Sequence, residues 1–183
     1  MIPKRWYLLS LTTILCACGG KTDNPEPKKE ASSWTVGNYV YNSFLSAQSV
    51  VSDGPRPYVI LNAYTIAANQ NDYAGFTGSK ITVKFYKNNG TGTFTLTSAE
   101  ELEAKPPEKL ITITCNVGTS APKGEVIYKP VTNTGTAVMI VKDNKGEYQL
   151  SMSAKATITK TDEIEGGIPG AAATYDFILT NAR

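Results

Sequence analysis

The sequence predicts an all-β fold, a single antiparallel β-sandwich or barrel-like domain of eight to ten strands with one short helix. Three observations lead to this prediction. From residue 34 onward, Val, Ile, Thr, Tyr and Phe recur at alternate positions, which is the period of a half-buried strand. Short segments rich in Gly and Asn separate these runs, as hairpin turns require. Helix signals are confined to the segment 98–105.

The alternating runs define nine predicted strands. In the third strand, Ile81, Val83 and Phe85 share one face, while Thr82, Lys84 and Tyr86 occupy the other. This pattern is typical of an antiparallel strand with one face on the core and one in solvent. The nine predicted strands are 36–50, 58–67, 80–87, 92–97, 110–117, 124–129, 135–142, 147–160 and 173–180.

The connections between the runs are short. The DNKG sequence at 143–146 predicts a hairpin turn, because Asn and Gly adopt positive φ at low cost. Consecutive hairpins place neighbouring strands antiparallel. The SAEE sequence at 98–101 predicts a capping box at a helix start, and the two prolines at 106–107 end that helix within about two turns.

The N-terminal residues have the pattern of a targeting signal. Lys4 and Arg5 precede an apolar run at 7–15, which is too short to span a bilayer. The run ends in LCACG at 15–19, which resembles the lipobox of bacterial lipoproteins. In that class a signal peptidase cuts before the last cysteine, which then carries the lipid. Because a cut before Cys18 leaves the small Ala17 next to the scissile bond, and a cut before Cys16 leaves Leu15, we predict lipidation at Cys18.

Three segments follow from this cut. Residues 1–17 are the predicted lipoprotein signal peptide, 18–33 the lipidated cysteine and a flexible linker, and 34–183 the β-domain. The linker is polar and contains two prolines, so it is predicted to be a disordered spacer with a reach of roughly 20 Å. That reach is enough to hold the domain clear of the lipid headgroups. The lipid anchor is the predicted membrane contact.

The composition excludes several function classes. Removing residues 1–17 deletes Lys4 and Arg5 and no acidic residue, which lowers the formal net charge from +2 to zero and argues against nucleic-acid binding. The chain contains no histidine, which removes histidine-based catalysis and histidine-ligated zinc. Cys115 is then the remaining cysteine, predicted to be a buried core thiol. The acidic runs lack the spacing of a calcium loop, so neither a metal site nor a cofactor is predicted.

The aromatic residues at the start of the domain are the best candidates for ligand contact. Exposed rings can stack on sugars or other flat apolar ligands at low entropic cost. The alternative is that these rings fill the core and cover its rim. The candidate contact residues are Trp34, Tyr39, Tyr41, Tyr58, Tyr64 and Tyr73.

The layout resembles the small β-rich lipoproteins of Bacteroidota-type bacteria. The resemblance rests on the lipobox at 15–20, Trp34 at the start of the domain, GTFTL at 92–96 before an acidic segment, and the closing YDF at 175–177. It implies no activity. A non-acidic Gly19 after the lipidated cysteine implies outer-membrane localisation, at the periplasmic face or the cell surface.

The predicted function is a lipid-anchored, non-catalytic binding or interaction module, whose partner is a glycan, a peptide or an envelope protein. Two alternatives stay open. One is a carboxylate-dependent hydrolase, which needs two carboxylates about 5–10 Å apart in a cleft. The other is a structural envelope protein that pairs with a partner through an edge strand.

Overall fold

The computed structural model describes residues 31–52, 54, 56–65, 75–118 and 124–183. These residues form twelve strands and a single α-helix of six residues. In chain order the elements are β1 (Ser33–Val36), β2 (Tyr39–Asn42), β3 (Leu45–Val51), β4 (Tyr58–Tyr64), β5 (Ser79–Tyr86), β6 (Gly92–Leu96), α1 (Ala99–Ala104), β7 (Leu110–Gly118), β8 (Glu125–Lys129), β9 (Ala137–Lys142), β10 (Tyr148–Met152), β11 (Ala156–Ile164) and β12 (Thr174–Asn181).

The strands form one curled sheet in which β7 is the branching point. On one side β7 pairs with β5, and β4 and β3 follow. On the other side its first residues pair with β6 and its last residues with β8. The β6 branch continues through β9 to β10, and the β8 branch through β11, β12 and β1 to β2. The two branches meet again where Leu150 and Ala182 exchange backbone hydrogen bonds of 2.8 and 2.9 Å. The all-β, barrel-like prediction is confirmed.

Strand alternation builds the core. Ile81, Val83 and Phe85 on β5 are fully buried, as their spacing predicts. On the neighbouring β7, Ile113 and Cys115 are also fully buried and lie directly opposite Val83 and Ile81. Residues from all twelve strands except β3 contribute to this main apolar cluster. A smaller cluster of Tyr86, Leu102 and Leu110 lies under α1.

Two of the predicted strands are broken, and a further strand, β1, begins at Ser33, the last residue of the predicted linker; together these changes raise the strand count from nine to twelve. The run 36–50 is interrupted by a two-residue loop after Val36, where Gly37 has φ +57° and its N–H donates to Asp176 O at 2.7 Å. It is interrupted again at 43–44, between β2 and β3. The run 147–160 divides at 153–155, because its first part pairs with β9 and its second part with β12 and β8. Periodicity alone does not reveal such a change of partner.

The helix starts at the predicted cap but uses only half of the predicted capping box. Ser98 Oγ accepts a hydrogen bond from the Glu101 backbone N–H at 3.2 Å. The Glu101 carboxylate does not return to Ser98 but accepts from the Thr97 hydroxyl and from Lys105 Nζ. The helix connects β6 to β7, and these two strands pair in parallel rather than antiparallel. A parallel pair needs such a crossover connection.

Candidate functional site

The six candidate aromatic residues have different environments. Trp34 and Tyr41 are buried, Tyr58 and Tyr64 are half-buried, and Tyr39 is exposed to 39%. Tyr73 lies outside the described residues, as does the predicted lipidation site Cys18. The structure therefore does not bring the five described rings together on one surface.

Trp34 and Tyr41 are core residues, which corrects their assignment as ligand contacts. The Trp34 indole Nε1–H donates to Ser79 Oγ at 3.0 Å, and its ring stacks on Tyr41 with centroids 5.8 Å apart. The Tyr41 hydroxyl donates to the Phe76 carbonyl at 2.8 Å, and burial raises the Tyr41 pKa. Both polar groups are satisfied inside the protein, as buried Trp and Tyr require.

Tyr58 and Tyr64 lie on the outer face of β4 and contact neighbouring side chains. The Tyr58 ring stacks on Tyr86 with centroids 4.5 Å apart, and the two hydroxyls are hydrogen-bonded at 3.0 Å. That bond raises the Tyr86 pKa. Lys84 Nζ lies 3.8 Å from the Tyr58 ring centroid, so two side chains already contact this ring. Lys80 Nζ lies 5.3 Å from the Tyr64 ring.

Tyr39 lines an open groove of about 450 Å³, which we call the Tyr39 groove. Its ring lies parallel to Phe76, with centroids 4.3 Å and planes 5° apart, and Phe76 in turn meets the edge of Tyr175. This stack fixes the orientation of Tyr39 before any ligand arrives, which lowers the entropic cost of binding. The groove is lined by Gly37, Asn38, Tyr39, Lys155, Thr157, Thr174, Tyr175 and Asp176.

The polar side chains of the groove offer both donors and acceptors. Lys155 Nζ and Asp176 Oδ2 form an ion pair at 3.7 Å, and both side chains are about 60% exposed. Such exposed pairs contribute little to stability, so either group can exchange its partner for a ligand at small cost. The pair is neutral overall. Asn38, Thr157 and Thr174 add an amide and two hydroxyls.

Gly37 makes the groove possible. A Cβ added at this position would lie 2.7 Å from Tyr175 Cδ1, so any other residue would displace that ring. The Tyr175 ring also packs against the Tyr128 ring, with centroids 5.3 Å apart. The close approach of the β1–β2 turn to β12 therefore depends on the missing side chain at position 37.

A second groove of about 410 Å³ lies between β3 and the β9–β10 turn. Here the Gln48 side-chain amide makes the two hydrogen bonds that the backbone of a neighbouring strand would otherwise make. Its Nε2 donates to Tyr148 O at 2.6 Å, and its Oε1 accepts from Tyr148 N at 2.9 Å. One side chain thus connects the β3 and β10 branches of the sheet. The lining includes Ser46, Val50 and Glu147.

Cys115 is a buried core thiol, as predicted. Its side chain is fully buried, and burial raises the thiol pKa to about 12. Its sulfur lies 3.6 Å from Ser79 Oγ. Because the thiolate is the nucleophilic form, such a group is unreactive at neutral pH.

Neither groove contains the pair of carboxylates that the hydrolase alternative requires. Asp176 is the acid in the Tyr39 groove and Glu147 the acid in the second groove. Within the described ranges, no group of three or more Asp, Glu or Cys residues is arranged to hold a metal ion. In the same part of the chain, no helix has the length and apolar character to cross a membrane.

The residues that build the Tyr39 groove with Tyr39 were missed by sequence reasoning. Lys155 immediately precedes β11, and Tyr175 and Asp176 lie on β12, all more than 110 positions from Tyr39. No local signal marks them, because their proximity depends on the pairing of β12 with β1 and β11. Comparison with protein-family models, curated proteins and solved structures returned no match.

Proposed function

We propose that this chain is a lipid-anchored, non-catalytic binding module of the bacterial outer membrane, and that its contact surface is the Tyr39 groove. The observation that carries the proposal is the exposed Tyr39 ring, held parallel to Phe76 beside a neutral set of hydrogen-bonding groups. An aromatic face next to donors and acceptors is the usual composition of a small-ligand site.

The chemistry of the groove favours a neutral glycan. The free face of a tyrosine ring stacks on the apolar C–H face of a pyranose, and the sugar hydroxyls need both donors and acceptors nearby. Asp176 accepts, Lys155 donates, and Asn38 does both. The opposite charges of Lys155 and Asp176 cancel, so the groove offers no excess charge to select a phosphate or an acidic sugar.

Titration of neutral oligosaccharides against the protein, followed by amide chemical-shift changes, tests the site. Tyr39→Ala is expected to weaken binding at least about tenfold, or ~1.4 kcal/mol, because it removes the stacking face. Tyr64→Ala is the matched control, since Tyr64 is a partly exposed tyrosine outside the groove. Equal affinities of the two variants, or shifts confined to other surfaces, would place the binding site elsewhere.

The anchor is proposed from the sequence at 15–19, where two cysteines allow an internal control. Cys18→Ala is expected to abolish incorporation of labelled fatty acid, whereas Cys16→Ala is expected to leave it unchanged. The opposite result would move the cut to Cys16. Protease treatment of intact cells, with the Cys18→Ala form as the unanchored control, then distinguishes the cell surface from the periplasmic face.

At β3, the edge-strand alternative is less favoured by the contacts. In the described part of the chain, β3 pairs on one side only, with β4. However, the Gln48 side chain crosses from the middle of β3 to β10, so a partner strand would have to displace two hydrogen bonds to Tyr148. The Tyr39 groove is open without such a rearrangement.

A further inference from the structure

Three large apolar side chains are exposed between β2 and the start of β3. They are Val40 on β2, Phe44 in the connection and Leu45 at the start of β3, with 68%, 74% and 55% of their surfaces exposed. We call these three residues the Phe44 patch. Large apolar side chains that cluster on a surface mark a contact with another apolar surface. Neither the Tyr39 groove nor the second groove includes any of the three.

The Phe44 patch is held on a fixed backbone. The Phe44 N–H donates to Tyr64 O on β4 at 2.8 Å, and the preceding Ser43 N–H donates to Ser32 O at 2.7 Å. The Ser32 N–H in turn donates to Ser43 Oγ at 2.8 Å. The backbone of residues 43–44, which carries the exposed Phe44 side chain, is therefore fixed by hydrogen bonds at both residues.

The same hydrogen bonds place the patch where the chain from the lipidation site enters the domain. Ser32 is the second described residue, and 13 positions separate it from Cys18. Even a fully extended chain of that length spans at most about 50 Å, and a coil spans about 20 Å. Phe44, one residue beyond the hydrogen-bonded partner of Ser32, therefore lies near the point where the chain from Cys18 enters the domain.

The surroundings of the patch suit a lipid surface. The described segment 31–52 itself contains no Asp, Glu, Lys or Arg, and the cationic residue Arg183 is bonded to it through its backbone N–H, which donates to Ser32 Oγ at 3.0 Å. Across the outer face of the sheet, Leu45 is paired with Tyr64, and Tyr64 with Lys80. At a membrane interface, apolar side chains lie deepest, tyrosines lie at the headgroup level and lysines contact anionic headgroups. The row of an apolar residue, a tyrosine and a lysine has the same order.

We infer that the Phe44 patch is a membrane-docking surface, which seats the domain on the same bilayer that holds its lipid anchor. The inference rests on the proposed anchor at Cys18. It differs from the expectation that the linker holds the domain clear of the headgroups, because the tether also lets this face reach them. Stable membrane attachment generally needs two signals, and here a shallow apolar contact would add to the lipid chain.

The experiment uses the lipidated full-length mature protein in vesicles of phosphatidylcholine and phosphatidylglycerol with brominated acyl chains. Phe44→Trp places a fluorescent reporter in the patch. Val131→Trp is the matched control, because Val131 is an apolar residue with 53% exposure on a different segment. Trp34, the other tryptophan left after the predicted cut, is fully buried and gives a constant background.

Bromine is expected to quench the Phe44→Trp reporter at least about twofold more than the Val131→Trp reporter, because only the first enters the interface. No quenching, or equal quenching of both reporters, would refute the proposal that the patch docks on the membrane. The exposed Phe44 would then be a candidate contact for a protein partner. Co-flotation with vesicles tests the anchor separately. If flotation does not depend on Cys18, the proposed anchor fails, whereas flotation without selective quenching refutes the docking surface alone.

Discussion

Replacing Gly37 with alanine is expected to destabilise the fold and distort the Tyr39 groove at the same time. Gly37 has φ +57°, and an added Cβ would lie 2.7 Å from Tyr175 Cδ1 and 3.1 Å from Tyr175 Cε1. The left-handed backbone costs an alanine roughly 1–2 kcal/mol. Displacing a packed ring costs typically ~1–3 kcal/mol more. The free energy of unfolding should therefore fall by about 2–5 kcal/mol.

Gly146→Ala separates the cost of the left-handed backbone from the cost of displacing the ring. Gly146 also lies in a hairpin turn at positive φ, +82°, but a Cβ there meets nothing within 4 Å. This variant should lose about 1–2 kcal/mol, the backbone cost alone. A double-mutant cycle of Gly37→Ala with Tyr175→Ala should then show a coupling of about 1–3 kcal/mol, because the clash needs both side chains.

Urea unfolding followed by Trp34 fluorescence measures these changes, since Trp34 is fully buried in the native state. The dependence of free energy on urea must be the same in all variants for the comparison to hold. If Gly37→Ala loses no more stability than Gly146→Ala, the contact with Tyr175 does not constrain the turn. The explanation of the groove from the missing side chain would then be wrong.

Three further results are expected. Ser79→Ala should cost about 1–3 kcal/mol in urea unfolding, because Ser79 Oγ accepts from the fully buried Trp34 indole and donates to the Asn116 carbonyl at 2.7 Å. Gln48→Ala should cost about 1–2 kcal/mol and speed hydrogen exchange at the Tyr148 amide, which then loses its acceptor. The Cys115 thiol, whose pKa burial raises from 9.0 to about 12, should react with a disulfide reagent at pH 8 roughly 1,000-fold more slowly in the native protein than in urea. Because the folded-state pKa is the higher one, its contribution to stability is complete below pH 9 and is lost as the pH rises toward 12.

Each of these results has its own contrary outcome. Ser49, an exposed neighbour of Gln48 on β3, supplies the control for the second prediction, and Ser49→Ala should leave the Tyr148 amide unchanged. Equal exchange rates in the two variants would show that the Gln48 amide does not connect the branches. A Ser79→Ala variant as stable as the wild type would mean that water satisfies the Trp34 indole. Fast modification of native Cys115 would show that the core opens locally.

The aromatic residues show how far sequence reasoning reached. Alternation predicts Tyr39 and Tyr41 on the same face of β2, yet one ring is exposed and the other is buried. The difference arises because Tyr41 lies over Trp34, whereas Tyr39 lies over Phe76 at the rim. A period of two defines the faces of a strand, but it does not say how deep each position lies in a curled sheet.

The sequence by itself determined the all-β class, the faces of the strands, the hairpin at 143–146, the helix start at Ser98 and the burial of Cys115, because short-range steric and hydrophobic patterns set each of them. Only the tertiary structure decided the branching at β7 and the assembly of the Tyr39 groove. It likewise decided that Ser43, the residue before the exposed Phe44, is hydrogen-bonded to Ser32. These features depend on pairing between strands far apart in the chain, such as β1 with β12. Many pairings satisfy the same alternation, and the packing of the whole core selects one of them.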